Sequence, residues 1–439
     1  MALYIAFALL FCAISSIVFH PELGLVYLLF VVIIKTLLKE LHPIFEVLDY
    51  TLVILFVTFF SSVFKYSKVF KRAYFPVLYV VIFLLFVGLL SLSALYTSQV
   101  VYGILKLARF VVIVGVLFFL SMFLFQFEGV SRRFLNLALY LILLLSVVHI
   151  VIMISFINTL TMDNPILIRF GIAGNPIGSG RIFGLGIILA ASRFFMKKGI
   201  RNHLLTIAFV SILLVALFST NSRGPILMLV VTLVGYLIFL DKKHIVTIMG
   251  ILLVFFILSG VVISVLPKFF ISRVIAGLYG TNMGGNFLNL TTSNGQRVWL
   301  IGTCLEKISE FNLIQIFLGK GLGSFAEIWR TPDFIRGYPH NIFLELLFES
   351  GVVTVLVFTM SIVLIIRDVI RYYIKRRQHD YILFSYFLSL IYFFLNSMVS
   401  GDINDNRFIW MFMGASIGYL VYRNDVGKRG YLPVGNCGD

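Results

Sequence analysis

The chain has 439 residues, 60% of them hydrophobic and 12% charged, and a formal net charge of +16. Soluble domains carry about 25% charged residues, so a water-soluble fold is excluded for a chain with this much apolar surface. The positive balance does not mark a nucleic-acid binder, because the lysines and arginines lie between apolar blocks and no basic module interleaved with aromatics carries that role.

Apolar runs of the length that crosses a hydrocarbon core as a helix, roughly 17–25 residues, recur along the whole chain. They fall near 3–19, 22–38, 49–64, 75–95, 100–126, 134–160, 178–197, 203–219, 224–240, 244–266, 341–366, 381–401 and 406–422. The opening stretch, MALYIAFALL, lacks the basic residues that lead a cleaved signal and is taken as a first span. His20-Pro21-Glu22 is either a hairpin between two spans or a kink. The 46 Phe and 20 Tyr residues suit lipid-facing and interfacial positions. The expected fold is therefore an all-α, polytopic transmembrane bundle of about 12–14 spans, since helices satisfy their own backbone inside lipid. It divides into N-terminal spans (1–160), central spans with arginine-bearing outward loops (161–266), a long outward loop (267–340), C-terminal spans (341–422) and a tail (423–439).

Basic clusters set the orientation. They are Lys65, Lys68, Lys71 and Arg72; Arg132 and Arg133; Lys197, Lys198 and Arg201; Lys242 and Lys243; and Arg367, Arg371, Lys375, Arg376 and Arg377. These occupy alternate loops, as cytoplasmic loops do, and Arg423, Lys428 and Arg429 put the tail on the same side. The loop 267–340 then faces outward. Within it, residues 294–311 read as an amphipathic helix capped by Ser293 or Asn294. Val298, Ile301, Leu305 and Ile308 form the expected apolar face, and Gln296, Thr303, Glu306, Lys307 and Glu310 the polar one.

The outward side is rich in arginine: Arg169, Arg181, Arg223, Arg273, Arg297, Arg330, Arg336 and Arg407. Each alone is an ordinary loop charge or headgroup anchor. Together they run against the topological bias, and the planar guanidinium fork suits phosphate. Arg223 lies in Thr220-Asn221-Ser222-Arg223-Gly224-Pro225, where Gly-Pro opens a new helix, and Arg297 lies near the start of the amphipathic one. Two such sites can clamp a diphosphate. His340, in Tyr338-Pro339-His340-Asn341, stands beside this loop at a helix start, where nearby cations favour a neutral imidazole; the bland alternative is a structural helix-start histidine. Glu345 and Glu349, one helical turn apart in the next span, either orient His340, pair with a loop arginine or pack helices. Gly319-Lys320-Gly321-Leu322-Gly323 lacks the phosphate-loop pattern and reads as a closely packed turn. Cys12, Cys304 and Cys437 have neither disulfide nor zinc spacing, and Asp402 and Asp405 are the one close outward pair of aspartates, so no metal and no cofactor is expected.

Over roughly residues 165–422 these motifs resemble the bacterial O-antigen polymerase and O-antigen ligase superfamily. The resemblance is carried by Ser222-Arg223-Gly224-Pro225, by Arg297-Val298-Trp299 followed by the GKGLGSF turn at 319–325, and by the PHNxxLExxxExG stretch from Pro339 to Gly351. His340, Asn341, Gly351 and Thr354 fit that family's spacing, and Arg169 with Gly180, around Asn175-Pro176-Ile177, looks like a polymerase outer loop. The resemblance implies a GT-C-like glycosyltransferase in a bacterial inner membrane with its active site facing the exterior. It implies a glycan donor linked to undecaprenyl diphosphate and a glycan acceptor, with a chain-length regulator and a flippase as candidate protein partners. By the same likeness Arg223 and Arg297 hold the diphosphate and His340 is the base. Arg169, Arg181 and Arg336 are further glycan or phosphate contacts, and Asn341 and Glu345 give support. The Arg169–Gly180 spacing favours a polymerase over a ligase. A flippase or an export scaffold is the rival from another class; against a flippase stand the long outward loop and the lack of repeat halves.

Overall fold

The structure, a computed structural model, describes residues 2–41, 49–67, 73–157, 175–194, 199–220, 222–239, 293–330, 337–376 and 380–429. Helices dominate these residues and no strand occurs among them. In chain order they are α1 (Ala2–Phe19), α2 (Pro21–Leu41), α3 (Tyr50–Lys65), α4 (Val77–Leu95), α5 (Val100–Leu124), α6 (Glu128–Ile157), α7 (Pro176–Phe194), α8 (Ile200–Ser219), α9 (Arg223–Phe239), α10 (Ser293–Ser309), α11 (Leu313–Leu318), α12 (Ile342–Arg376), α13 (Tyr381–Ser397) and α14 (Arg407–Arg429). Each expected span on described residues coincides with a helix; the span at 244–266, Arg169, Arg273 and Arg336 lie outside the described residues. His20 is a break between two separate helices, α1 and α2.

Side-chain caps set several starts. Asp49 accepts from Thr51 N at α3, Asp380 from Ile382 N at α13, and Asn312 and Gln315 form a reciprocal capping box at α11. Inside α5 the helix widens into a π-type turn over Phe110–Gly115, a local distortion found often at functional sites.

Five described helices are long and apolar enough to cross a bilayer: Val77–Leu95, Val100–Leu124, Glu128–Ser155, Ile200–Ser219 and Ile342–Lys375. Their outer faces are apolar too. α4 exposes Val81, Leu84, Leu85 and Leu92 while burying Phe83, Phe86 and Leu90, and α6 exposes Leu144, Val147, Val151 and Ile154 while burying Phe134, Ala138 and Ile142. Such stripes are a liability in water and match acyl chains in a membrane. The protein is a membrane-embedded helical bundle.

Helix contacts within it rely on close backbone approach. Gly414 and Gly418, one turn apart on α14, lie against α5, where an added Cβ would sit 2.4 Å from Phe118 O and 2.3 Å from Met122 O. This is the small-residue packing that lipid-embedded helices use in place of a hydrophobic drive. Beside it Trp410 is enclosed by Phe83, Phe86, Phe110, Phe118 and Phe358.

Polar residues sort to the two ends of the bundle. At one end Tyr422 donates to Glu128, Arg423 pairs with Asp380, Tyr79 donates to Asp368 and Arg133 pairs with Glu22. Arg132, Arg193, Arg367 and Arg371 belong to this basic end. The opposite end carries the starts of α5, α7, α9, α12 and α14 and the described part of the long loop.

The amphipathic helix α10 forms as expected, but its buried face is rotated. Leu300 and Cys304 are fully buried against Phe311, Phe325 and Phe348, whereas Val298 and Leu305, expected on the apolar face, are 44% and 51% exposed. Leu300 lies to one side of the expected stripe, and the helix has apolar residues on more than one side; which side turns inward is decided by the aromatic rings beneath it.

Candidate active site

The end that carries α10 is organised by the turn between α13 and α14, residues 398–406. Asn341 Nδ2 donates to Met398 O at 3.0 Å, while its Oδ1 accepts from Phe343 N and Leu344 N and so caps α12. Arg181 donates to Asn396 O (3.0 Å), Ser400 O (2.8 Å) and Asn406 Oδ1 (3.3 Å). A Cβ at Gly224 would meet Val399 at 3.3 Å, and one at Gly180 would meet Pro225 at 3.2 Å. The first turns of α7, α9 and α12 therefore converge on one short turn, and with them Arg181, Arg223 and His340.

His340 is held just outside the cap. Its φ of 60° is the one positive value at a non-glycine among the described residues. A left-handed backbone at a side chain of this size is uncommon and persists where its surroundings over-determine it. Tyr338 and Pro339 are buried before it, and its ring centroid lies 4.6 Å from Tyr338 and 6.0 Å from Trp329. Tyr102 of α5 fixes the approach by accepting from Gly337 N at 3.1 Å. Burial lowers the imidazole's proton affinity, Arg297 lowers it further and Asp405 partly opposes them, which leaves the pKa at about 4. At neutral pH this histidine is uncharged. Its Nδ1 is buried with no hydrogen-bond partner among the described residues.

Arg297 thus stands within electrostatic reach of His340, and equally of Arg181, which also feels Asp405. His340, Arg297 and Arg181 form one cationic neighbourhood around a neutral ring. The hydrogen bonds of Arg181 go to the α13–α14 turn rather than outward. Arg330 is likewise spent on Gln99 Oε1 (2.6 Å) and Ala326 O (3.2 Å), and the Arg407 guanidinium lies over the Phe408 ring at 5.2 Å. No group of three or more His, Cys, Asp or Glu placed to hold a metal occurs among the described residues, and Asp402 Oδ1 accepts from Asp405 N at 2.7 Å in a local turn.

Beneath this surface Glu345 and Glu349, expected to orient His340, pair with a loop arginine or pack helices, instead share Lys106, a residue the sequence did not single out. Lys106 Nζ lies 2.6 Å from Glu345 Oε1 and 2.7 Å from Glu349 Oε2, and all three side chains are 1% exposed. Glu345 Oε1 also accepts from Ile403 N (3.3 Å), and Asn404 Nδ2 donates to Lys106 O (3.2 Å). The triad therefore ties α5 and α12 to the same turn that carries Asn341 and Arg181. Its signal in the sequence is a lysine within an apolar span, matched by two carboxylates one turn apart in another; the distance of more than 200 positions hides the pairing.

The glycine-rich turn locks the assembly from above. Lys320 N and Gly321 N donate to Phe348 O and Glu349 O, the carbonyls left free because α12 breaks at Gly351 (φ 75°, ψ 176°). Leu322 N donates to Ser93 O, and Tyr96 to Leu318 O. At Gly321 (φ 106°) a Cβ would come within 2.4 Å of Thr97 Cα, so this position requires glycine on both conformational and steric grounds.

No protein-family model matches this chain, and no curated protein matches it.

Proposed function

We propose that this protein is a glycosyltransferase that polymerises oligosaccharide repeat units carried on a polyprenyl diphosphate, acting at the outer face of a bacterial inner membrane. The observation that carries this reading is a neutral, half-buried imidazole, His340, inside the field of Arg297, with the start of the Arg223 helix on the same turn.

The arrangement suits an inverting transfer in which the protein supplies one base and several fixed cations. The hydroxyl of the acceptor sugar gives its proton to His340 as its oxygen bonds to the donor's anomeric carbon. The bond from that carbon to the diphosphate oxygen breaks, and the electron pair leaves on the lipid diphosphate. Arg223 and Arg297 stabilise that charge; a fixed donor in a water-poor site contributes roughly 3 kcal/mol to such a step. Diphosphate is a good leaving group, so no acid is needed to protonate it. A pKa of about 4 is low for a base; burial is its main cause and Arg297 the lesser one, and the bound donor, by bringing negative charge to Arg297, offsets the second. The donor thereby raises the basicity of the group that completes its transfer. Asn341 and Glu345 support the site through the helix cap and the α13–α14 turn. Arg169 and Arg336 remain proposed glycan or phosphate contacts, with membrane lipids, a chain-length regulator and a flippase as proposed partners.

A ligase runs the same chemistry onto a different acceptor, lipid A-core or protein. Deleting the gene separates the two: loss of a polymerase leaves single repeats on the core, and loss of a ligase leaves the core bare. A flippase is separated by purified protein given a synthetic donor and acceptor, where glycosidic bond formation without a gradient identifies an enzyme. In that assay His340→Ala is expected to lower the rate by about 10²–10⁴. Arg223→Ala and Arg297→Ala are each expected to abolish long chains in protein that still inserts. Normal chain-length ladders in all three variants would overturn the assignment.

A further inference from the structure

At the basic end of the bundle, α6, α7 and α13 leave a pocket of about 250 Å³ between them. Arg132, Asn136, Arg193 and Tyr381 supply its polar lining, and Leu139 and Leu189 part of its apolar lining. These residues come from the first four turns of α6, the last two turns of α7 and the first residue of α13. α13 has 17 residues and ends beside the His340 site, which puts roughly 25 Å between the two sites, about the depth of a hydrocarbon core.

Two features point to the pocket's ligand. The first is charge. Arg193 donates to the Tyr140 hydroxyl at 2.8 Å and stacks over that ring at 5.3 Å, and it has no carboxylate partner among the described residues. Arg132 is paired with Glu128, which also accepts from Tyr422. The lining therefore carries one positive charge that its described neighbours do not offset, on a fork that matches phosphate oxygens. The second is continuity with the lipid face. Tyr140 at the pocket mouth is 47% exposed, and Leu144, Val147 and Val151 continue from it along the outer face of α6. A ligand with a phosphate in the pocket has an apolar track leading into the bilayer. The volume lies below the roughly 300–1,000 Å³ of sites that enclose a whole small molecule, so it fits a headgroup whose remainder stays outside.

We propose that this pocket binds the phosphate headgroup of an anionic membrane phospholipid, held by Arg193 and Arg132, with its acyl chains along Tyr140, Leu144, Val147 and Val151. Basic pockets between membrane helices hold such headgroups by this combination of charge and chain contact. The site is independent of the glycan-transfer reading.

The full-length protein, purified in a neutral detergent, is incubated with phosphatidylglycerol, phosphatidylcholine or inorganic phosphate, and retained lipid is counted by native mass spectrometry alongside the thermal unfolding midpoint. Phosphatidylglycerol is expected to be retained and to raise the midpoint, and phosphatidylcholine is not. Arg193→Gln is expected to weaken retention about fivefold, the share of one basic residue at an anionic surface. Asn136→Trp, which fills the pocket and keeps both arginines, is expected to abolish retention and guards against a folding defect in the first variant. Arg371→Gln, an exposed basic residue of the same end but outside the pocket, is expected to change nothing. Equal retention of the two lipids, unaltered retention in both pocket variants, or an equal loss in Arg371→Gln would overturn the proposal. Inorganic phosphate raising the midpoint as much as phosphatidylglycerol would overturn the commitment to a lipid.

Discussion

His340 gains its properties from two neighbours in its own segment, Tyr338 beside its ring and the Asn341 cap that fixes the helix after it, and from one on another helix, Arg297, within its field. The direction of its shift makes a pH test specific. On the proposed function the neutral ring is the working form, so activity is expected to fall as pH falls through the pKa. In kcat/KM, which reports the free enzyme, the acid limb is expected near 4; in kcat it is expected higher, because bound diphosphate offsets Arg297. Burial, the larger cause of the low pKa, persists in Arg297→Gln, so removing the cation should move the kcat/KM limb upward while leaving it below the ordinary histidine value of about 6.5, with kcat about 10²–10³ lower. A limb that stays put in the variant would separate the two residues. Arg223→Lys keeps the charge and loses the fork, and is expected to remain well below wild type.

At the scale of elements, the Lys106–Glu345–Glu349 triad and the glycine-rich turn hold α5, α12 and the α13–α14 turn in register. Removing one partner of a buried ion group is costly, about 3–5 kcal/mol, whereas replacing the whole group with neutral residues is often tolerated. Lys106→Met should therefore lower the thermal midpoint sharply, and Lys106→Met combined with Glu345→Gln and Glu349→Gln should recover much of it. Activity should not return fully with stability, since without the Lys106 ammonium α12 is no longer tied to α5, and residue 345 holds Ile403 N only through a neutral carbonyl oxygen. Full activity in the triple variant would leave the triad a packing device. Gly321→Ala, strained by its left-handed backbone and its contact with Thr97, should lower the midpoint by the equivalent of about 1–3 kcal/mol or more. The two devices differ in how visible they are before folding. The turn announces itself by three alternating glycines, and the helices by runs of apolar residues; both signals are local. The triad joins positions more than 200 residues apart, and the carbonyls freed by the break at Gly351 find their donors in a turn that only the folded chain brings against α12. The buried side of α10 was illegible for a related reason: Val298 and Leu305 are as apolar as Leu300 and Cys304, and only the position of Phe325 and Phe348 decides between them.

For the whole molecule the deciding quantity is orientation. All basic loop clusters on described residues fall at the end opposite His340, and lysines and arginines of short loops are retained in the cytoplasm. The candidate active site is then expected outside, where the proposed function needs the lipid-linked glycan to arrive, and the Arg193 pocket inside. Single cysteines test this on a background from which the three native ones have been removed, Cys12 being exposed and Cys304 buried. Glu310→Cys, at the end of α10, should react with a membrane-impermeant maleimide added to intact cells or spheroplasts. Arg371→Cys, near the end of α12, should react only after permeabilisation. α12 joins the two ends directly, so the reverse pattern would turn the whole bundle over: His340 and Arg297 would face the cytosol, and the outward glycan transfer proposed for them would be untenable. Labelling of both positions from outside would instead contradict a membrane between the two ends of α12, and with it the reading of Ile342–Lys375 as a span.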